Sequence, residues 1–185
     1  PGAGCFAGVA VHGELVFVAD YSMQCIRVLD MEGKQERQFS TEGSGNGQFD
    51  CPNGVAIAGE LVYVCDYGNH RVQVFGLDGT FRRGWGEQGA GQGQFAEPGA
   101  VAVNREEVYV CDLFNNRVQV FGLDGTWIRS WGSRGDGEGQ FYRPRGITVH
   151  DDEVYVADEF NHRVQVFGLD GRFRRMWGSY GTGDG

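Results

Sequence analysis

No stretch of apolar residues comes near the roughly 18 that a membrane-crossing helix needs, so no membrane partner is expected. No basic-then-apolar signal segment is visible at the start either, a feature that trimming of the terminus would also remove. Proline is scarce, with four residues in 185. Positive charge is in deficit: 16 lysines and arginines against 25 acidic residues give a formal net charge of −9. That balance argues against a polyanionic partner, because nucleic-acid affinity rests largely on phosphate neutralisation. The five cysteines follow neither a disulfide framework nor a paired metal-ligand spacing. There is no nucleophile elbow and no His-Glu-x-x-His string. No catalytic residue, metal ligand or cofactor is therefore expected. No part of the chain keeps a 3.6-residue apolar period, which excludes a helical solenoid.

What the chain has instead is glycine, 32 of them scattered throughout, as many tight turns between short strands require. It also repeats. Asp20, Asp66, Asp112 and Asp158 are spaced by 46, as are Phe49, Phe95 and Phe141, and residues 47–92 match 93–138 at more than half of their positions. The repeat divides the chain into units of about 1–46, 47–92, 93–138 and 139–185, forming one domain over 1–185. In the second unit, β-rich runs are expected at 54–58, 61–66, 71–76 and 80–85. Asp78-Gly79, Asp124-Gly125 and Asp170-Gly171 mark a hairpin between the third and fourth runs. Four antiparallel strands in a unit of this length describe an all-β fold, a β-propeller of four-stranded blades. Trp85, Trp131 and Trp177, like the repeated phenylalanines, are expected to pack between blades. Cys65 and Cys111 occupy a slot that Ala19 and Ala157 fill elsewhere, so they read as small buried fillers. Free thiols point weakly toward a reducing, intracellular compartment.

The strings Val-Tyr-Val-Cys-Asp-Tyr-Gly-Asn-His-Arg-Val-Gln-Val-Phe at 62–75 and Val-Tyr-Val-Ala-Asp-Glu-Phe-Asn-His-Arg-Val-Gln-Val-Phe at 154–167 resemble the core of NHL repeats. The third copy departs from it at Asn115-Asn116-Arg117, and the first more strongly, with Ser22-Met23-Gln24-Cys25 and Phe39-Ser40. The resemblance implies propellers that are usually six-bladed. The chain stops where the next Gln-Phe falls due. The expectation is thus an arc or part of a larger ring, either a fragment or a protomer that self-associates through its terminal blades.

The repeated carboxylates Asp20, Asp66, Asp112 and Asp158 end strands and are expected to bond their own loops. Arg71, Arg117 and Arg163, five residues further on, are expected to pair with them. The alternative is a ring of carboxylates around a cation. His70 and His162 share a slot with Asn116 and Gln24, which suits a hydrogen-bonding loop residue better than a ligand or a base. Function is sought where the repeats disagree: in the loops after the aspartates and in the segments before each first strand. The resemblance places both on one rim, giving Tyr21, Asn53, Tyr67, Leu113, Phe114, Arg143, Arg145 and Phe160 as partner-binding candidates. The leading reading is a non-catalytic scaffold for a protein partner. RNA binding is the alternative, resting on Arg143, Arg145, Arg172, Arg174 and Arg175 and on Arg82 and Arg83. A metal-dependent lyase or lactonase, which the propeller resembles at fold level, is the third.

Overall fold

Valine-rich runs broken by glycine turns give sixteen strands in the computed structural model, which describes residues 5–104 and 106–181. The first blade holds β1 (Phe6–His12), β2 (Leu15–Asp20), β3 (Cys25–Leu29) and β4 (Gln35–Phe39), and the second β5 (Pro52–Ala58), β6 (Leu61–Asp66), β7 (Arg71–Gly76) and β8 (Phe81–Trp85). The third holds β9 (Pro98–Val103), β10 (Glu107–Asp112), β11 (Arg117–Gly122) and β12 (Trp127–Trp131). The fourth holds β13 (Pro144–His150), β14 (Glu153–Asp158), β15 (Arg163–Gly168) and β16 (Phe173–Trp177). In every blade the strands lie in chain order and pair antiparallel. The fold is all-β, four four-stranded antiparallel blades of a β-propeller, with no α-helix among the described residues.

Burial follows strand position. The two middle strands of a blade are covered on both faces, so β6 and β7 are buried along most of their length. The fourth strands β8 and β12 are half-covered and alternate, keeping Trp85 and Trp131 on the sheltered face while Arg82 and Ile128 face solvent. The Asp78-Gly79 hairpin closes through a Gly79 N–H to Gly76 carbonyl bond at 2.9 Å, with Gly79 at φ +86° and a register shift beyond Val74, and Gly125 and Gly171 make the same bond to Gly122 and Gly168. This is a turn with a glycine bulge, which resets the pairing of β7 with β8.

The chain divides into two compact units, Pro1–Pro98 and Gly99–Gly185. In the first, the core lies between two blades: Phe17, Ala19, Ile26 and Val28 meet Phe49, Val55, Val62, Val64 and Phe75. Phe39, standing where other units have tryptophan, packs on Phe75 with ring centroids 5.2 Å apart. The second unit repeats the plan, with Tyr109, Cys111, Val118 and Val120 against Phe141, Val154, Val156 and Phe167. Trp131 meets Phe167 of the next blade at 5.7 Å. Phe49 and Phe141 are fully buried, and removing such a ring costs about 3–5 kcal/mol.

Candidate functional site

At the loop end of each blade the backbone leaves its second strand at a buried aspartate. Asp66 is fully buried and receives the Asp50 N–H at 2.8 Å, the Asn69 amide at 3.0 Å, the Arg71 Nε–H at 2.6 Å and the Gln73 amide at 3.0 Å. Asp158 takes the same set in the second unit, from Tyr142, Asn161, Arg163 and Gln165. Asp112 pairs with Arg117 at 2.7 Å, and Asp20 with Arg27 at 2.6 Å. Burial holds the Asp66 carboxyl above its ordinary range, while the Asp50 N–H, Arg71 and Asn69 pull the other way.

The donors do more than satisfy one carboxylate. Arg71 and Gln73 lie two residues apart on one strand, so both side chains stand on the same face of the blade and reach the same connector. Arg71 also donates to the Gly45 and Gln48 carbonyls at 2.7 and 3.0 Å, and Gln73 to Gln48 at 2.6 Å. The Gly47 N–H returns a bond to Gln73 Oε1 at 2.9 Å. Arg163 and Gln165 treat residues 136–140 in the same manner. The repeated polar residues are thereby occupied in holding the glycine-rich connectors.

Another repeated device joins neighbouring blades. Gln24, His70, Asn116 and His162 all adopt φ near +54°, a conformation that asparagine and histidine tolerate better than most residues. Gln24 accepts the Cys51 N–H at 2.5 Å and His70 Nδ1 the Glu97 N–H at 3.1 Å. In the second unit Asn116 accepts the Arg143 N–H at 3.0 Å. A histidine used as an acceptor from the backbone is a structural group here.

What remains exposed is aromatic, and it changes along the chain: the two positions after the aspartate read Tyr21-Ser22, Tyr67-Gly68, Leu113-Phe114 and Glu159-Phe160. Phe114, Phe160 and Tyr21 are 42%, 45% and 47% exposed. In the second unit the Arg143 guanidinium lies 4.5 Å from the Phe114 ring centroid and 4.9 Å from that of Phe160. Tyr142 packs on Phe160 at 5.1 Å, and Arg134 lies over Tyr142 at 5.0 Å. Arg145 is exposed and reaches Glu159 at 3.4 Å. The structure thus brings Phe114, Arg143 and Phe160 into one cluster, with Arg145 standing nearby on the same loops.

Other candidates are placed differently. Leu113 is buried, its Cδ1 3.1 Å from where a Cβ on Gly99 would stand, so it anchors its loop and presents nothing outward. Asn53 is half-buried inside β5, and Tyr67 is half-buried as well. Tyr21 is on the surface, its N–H bonded to the Cys5 carbonyl at 2.9 Å. Sequence reasoning overlooked Tyr142 and Arg134. Their signal was available: both sit where the connectors vary, at positions filled two repeats earlier by Asp50 and Glu42 respectively. Among the described residues, no group of three or more His, Cys, Asp or Glu side chains is placed to hold a metal ion. No helix of the described residues is long and apolar enough to cross a membrane.

Residues 49–75 and 141–167 match the NHL repeat family. Comparison with curated proteins finds no match. Among solved structures, a chain of a nidogen/laminin complex is similar with a TM-score of 0.72 at 16% identity, covering 95% of this chain and 64% of that one. A streptogramin B lyase gives 0.70 at 13% identity, covering 91% and 53%. The hydrazine synthase of Kuenenia stuttgartiensis gives 0.69 at 16%, covering 91% and 47%. The chain spans less than two thirds of the length of each, and at these identities the likeness is one of fold.

Proposed function

This chain carries NHL repeats in a β-propeller architecture, and we propose that it is a non-catalytic scaffold that binds protein partners through its rim loops. The observation that supports this reading is a division of labour among its side chains. The repeated Asp, Asn, Arg and Gln residues are bonded inward, whereas Tyr21, Phe114 and Phe160, from a loop dipeptide that differs in all four copies, stand exposed on loops held by that frame. Aromatic anchors with arginines beside them have the composition of interface centres.

The fold alone leaves the choice open, since its neighbours include a nidogen/laminin complex and two enzymes. The arginines that favour RNA are largely engaged: Glu153 takes both Arg174 and Arg175, at 3.0 and 2.5 Å, and Glu159 takes Arg145. With a net charge of −9, few cations remain to neutralise a run of phosphates.

The test is affinity capture on the immobilised chain, beside a Tyr21→Ala/Phe114→Ala/Phe160→Ala variant. A protein partner retained by the first and lost from the second, with both chains melting alike, is the expected result. Identical retention on the two would sink the rim as the binding surface.

A further inference from the structure

The four copies of the segment before the first strand place Cys5, Cys51, Glu97 and Arg143 in one slot, and only Arg143 is built into a clamp. The residues that flank the slot explain why. Arg143 lies between Phe114 and Phe160, while the corresponding positions around Cys51 are Ser22 and Gly68. Two rings gripping one guanidinium fix its plane and remove rotamer freedom before any partner arrives. They satisfy its charge from the faces and leave its edge untouched. None of the described residues accepts a hydrogen bond from the Arg143 guanidinium; its only bonded group is the backbone N–H, given to Asn116. The neighbouring Arg145, by contrast, already has Glu159.

A flat guanidinium with unused donors matches a carboxylate, which can take two parallel N–H bonds. The rings beside it add apolar surface on both sides of that bond. We propose that Phe114, Arg143 and Phe160 form a receptor for an acidic protein segment, with an Asp or Glu carboxylate on Arg143 and an apolar side chain of the partner lying against one of the two rings. The proposal rests on the protein-scaffold reading and adds the chemistry of the partner. One isolated oriented cation suits one carboxylate. A nucleic acid would call for a row of free cations, and here Arg145 is taken by Glu159 and Arg134 lies over Tyr142.

The experiment begins with random 12-residue peptides displayed on phage and panned on the intact chain, with Arg143→Gln as counter-selection. The expected pool is enriched in Asp or Glu at a fixed distance from an apolar residue. For a recovered peptide, changing its acidic residue to the amide and making Arg143→Gln should each weaken binding about tenfold or more, and the two losses should not add, because both break the same pair. Arg143→Lys, which keeps the charge without the fork, should also bind more weakly than the native chain. A pool without acidic enrichment, no pool at all, or additive losses would overturn the proposal. Retention of a uridine-rich 12-mer RNA that Arg143→Gln abolishes would overturn it in favour of a nucleic acid. Peptides that depend on Phe160 or Tyr21 but not on Arg143 would remove this inference and leave the scaffold reading standing. If no peptide and no captured protein depends on any rim residue, both fall.

Discussion

Arg71 gives its Nε–H to Asp66 at 2.6 Å and its terminal nitrogen to the carbonyls of Gly45 and Gln48, so one side chain ties the end of β6 to the connector that precedes its blade. Asp66 is fully buried and the Arg71 side chain is 15% exposed. Removing one member of such a pair strands the other in a poor solvent.

Asp66→Ala should therefore destabilise the chain by about 3–5 kcal/mol, read as a fall in the denaturation midpoint. Lys34→Ala provides the contrast. Its pair with Glu36 at 3.4 Å lies in water, and its loss should cost under about 1 kcal/mol. Equal effects of the two substitutions would show that the buried network does not carry the fold.

Gly132→Ala should cost more than about 1 kcal/mol from backbone conformation alone. Gly132 stands at φ +104°, and a Cβ there would come within 2.6 Å of the Phe141 ring. Since Phe141 belongs to the core of the second unit, the variant should also lose near-ultraviolet circular dichroism. Gly139→Ala, at φ +72° with no atom within 4 Å of the added carbon, should pay the conformational cost without the clash. A Gly132→Ala melt no lower than that of Gly139→Ala would contradict this account.

Much of the fold was legible because the repeat exposed it. The expected runs at 61–66 and 71–76 coincide with β6 and β7, and the expected first run at 54–58 begins two residues inside β5. The early start of β5 is hidden because Pro52-Asn53-Gly54 reads as turn chemistry, yet a register shift between Pro52 and Val55 accommodates it as a bulge. The site was less legible. Leu113 shares its loop with Phe114, and only the bare face of Gly99 explains why the leucine turns inward. The Arg143 clamp joins residues 29 and 17 positions apart in the chain, a proximity that blade packing creates and no local pattern announces.

Acid should weaken the second unit through Glu107. Its bond to Arg129 at 2.6 Å holds the carboxyl below its ordinary value of 4.5, outweighing the effect of burial. A lowered folded value means that the contribution is present above about pH 4.5 and is lost as pH falls through the folded value. Glu107→Gln should cost about 1 kcal/mol at pH 7 and progressively less toward pH 3. Thermal melts across that range check it, and parallel curves for variant and native chain would refute it.

The cysteines should separate by reactivity. Cys5 is exposed, whereas Cys25, Cys65 and Cys111 are buried. Burial pushes the Cys65 thiol far up, and burial with the neighbouring Asp50 also raises Cys51. Iodoacetamide at pH 8 should modify Cys5 first and leave Cys65 and Cys111 untouched until denaturant is added, as peptide mass mapping would show. Early modification of Cys65 would mean that β6 opens far more readily than its packing implies.

The Arg-and-Asn grip on the preceding connector puts the architectural seam out of phase with the sequence repeat. A cassette cut at 47 or 139 to move one blade into another protein would carry Asn69 and Arg71, or Asn161 and Arg163, without the Gly43 and Gly45 or the Gly135 and Gly137 carbonyls they fasten. Anyone transplanting or multiplying these blades should cut upstream of the connector, near Ser40 or Gly132, so that each transferred piece brings its own clasp and the backbone that the clasp closes on.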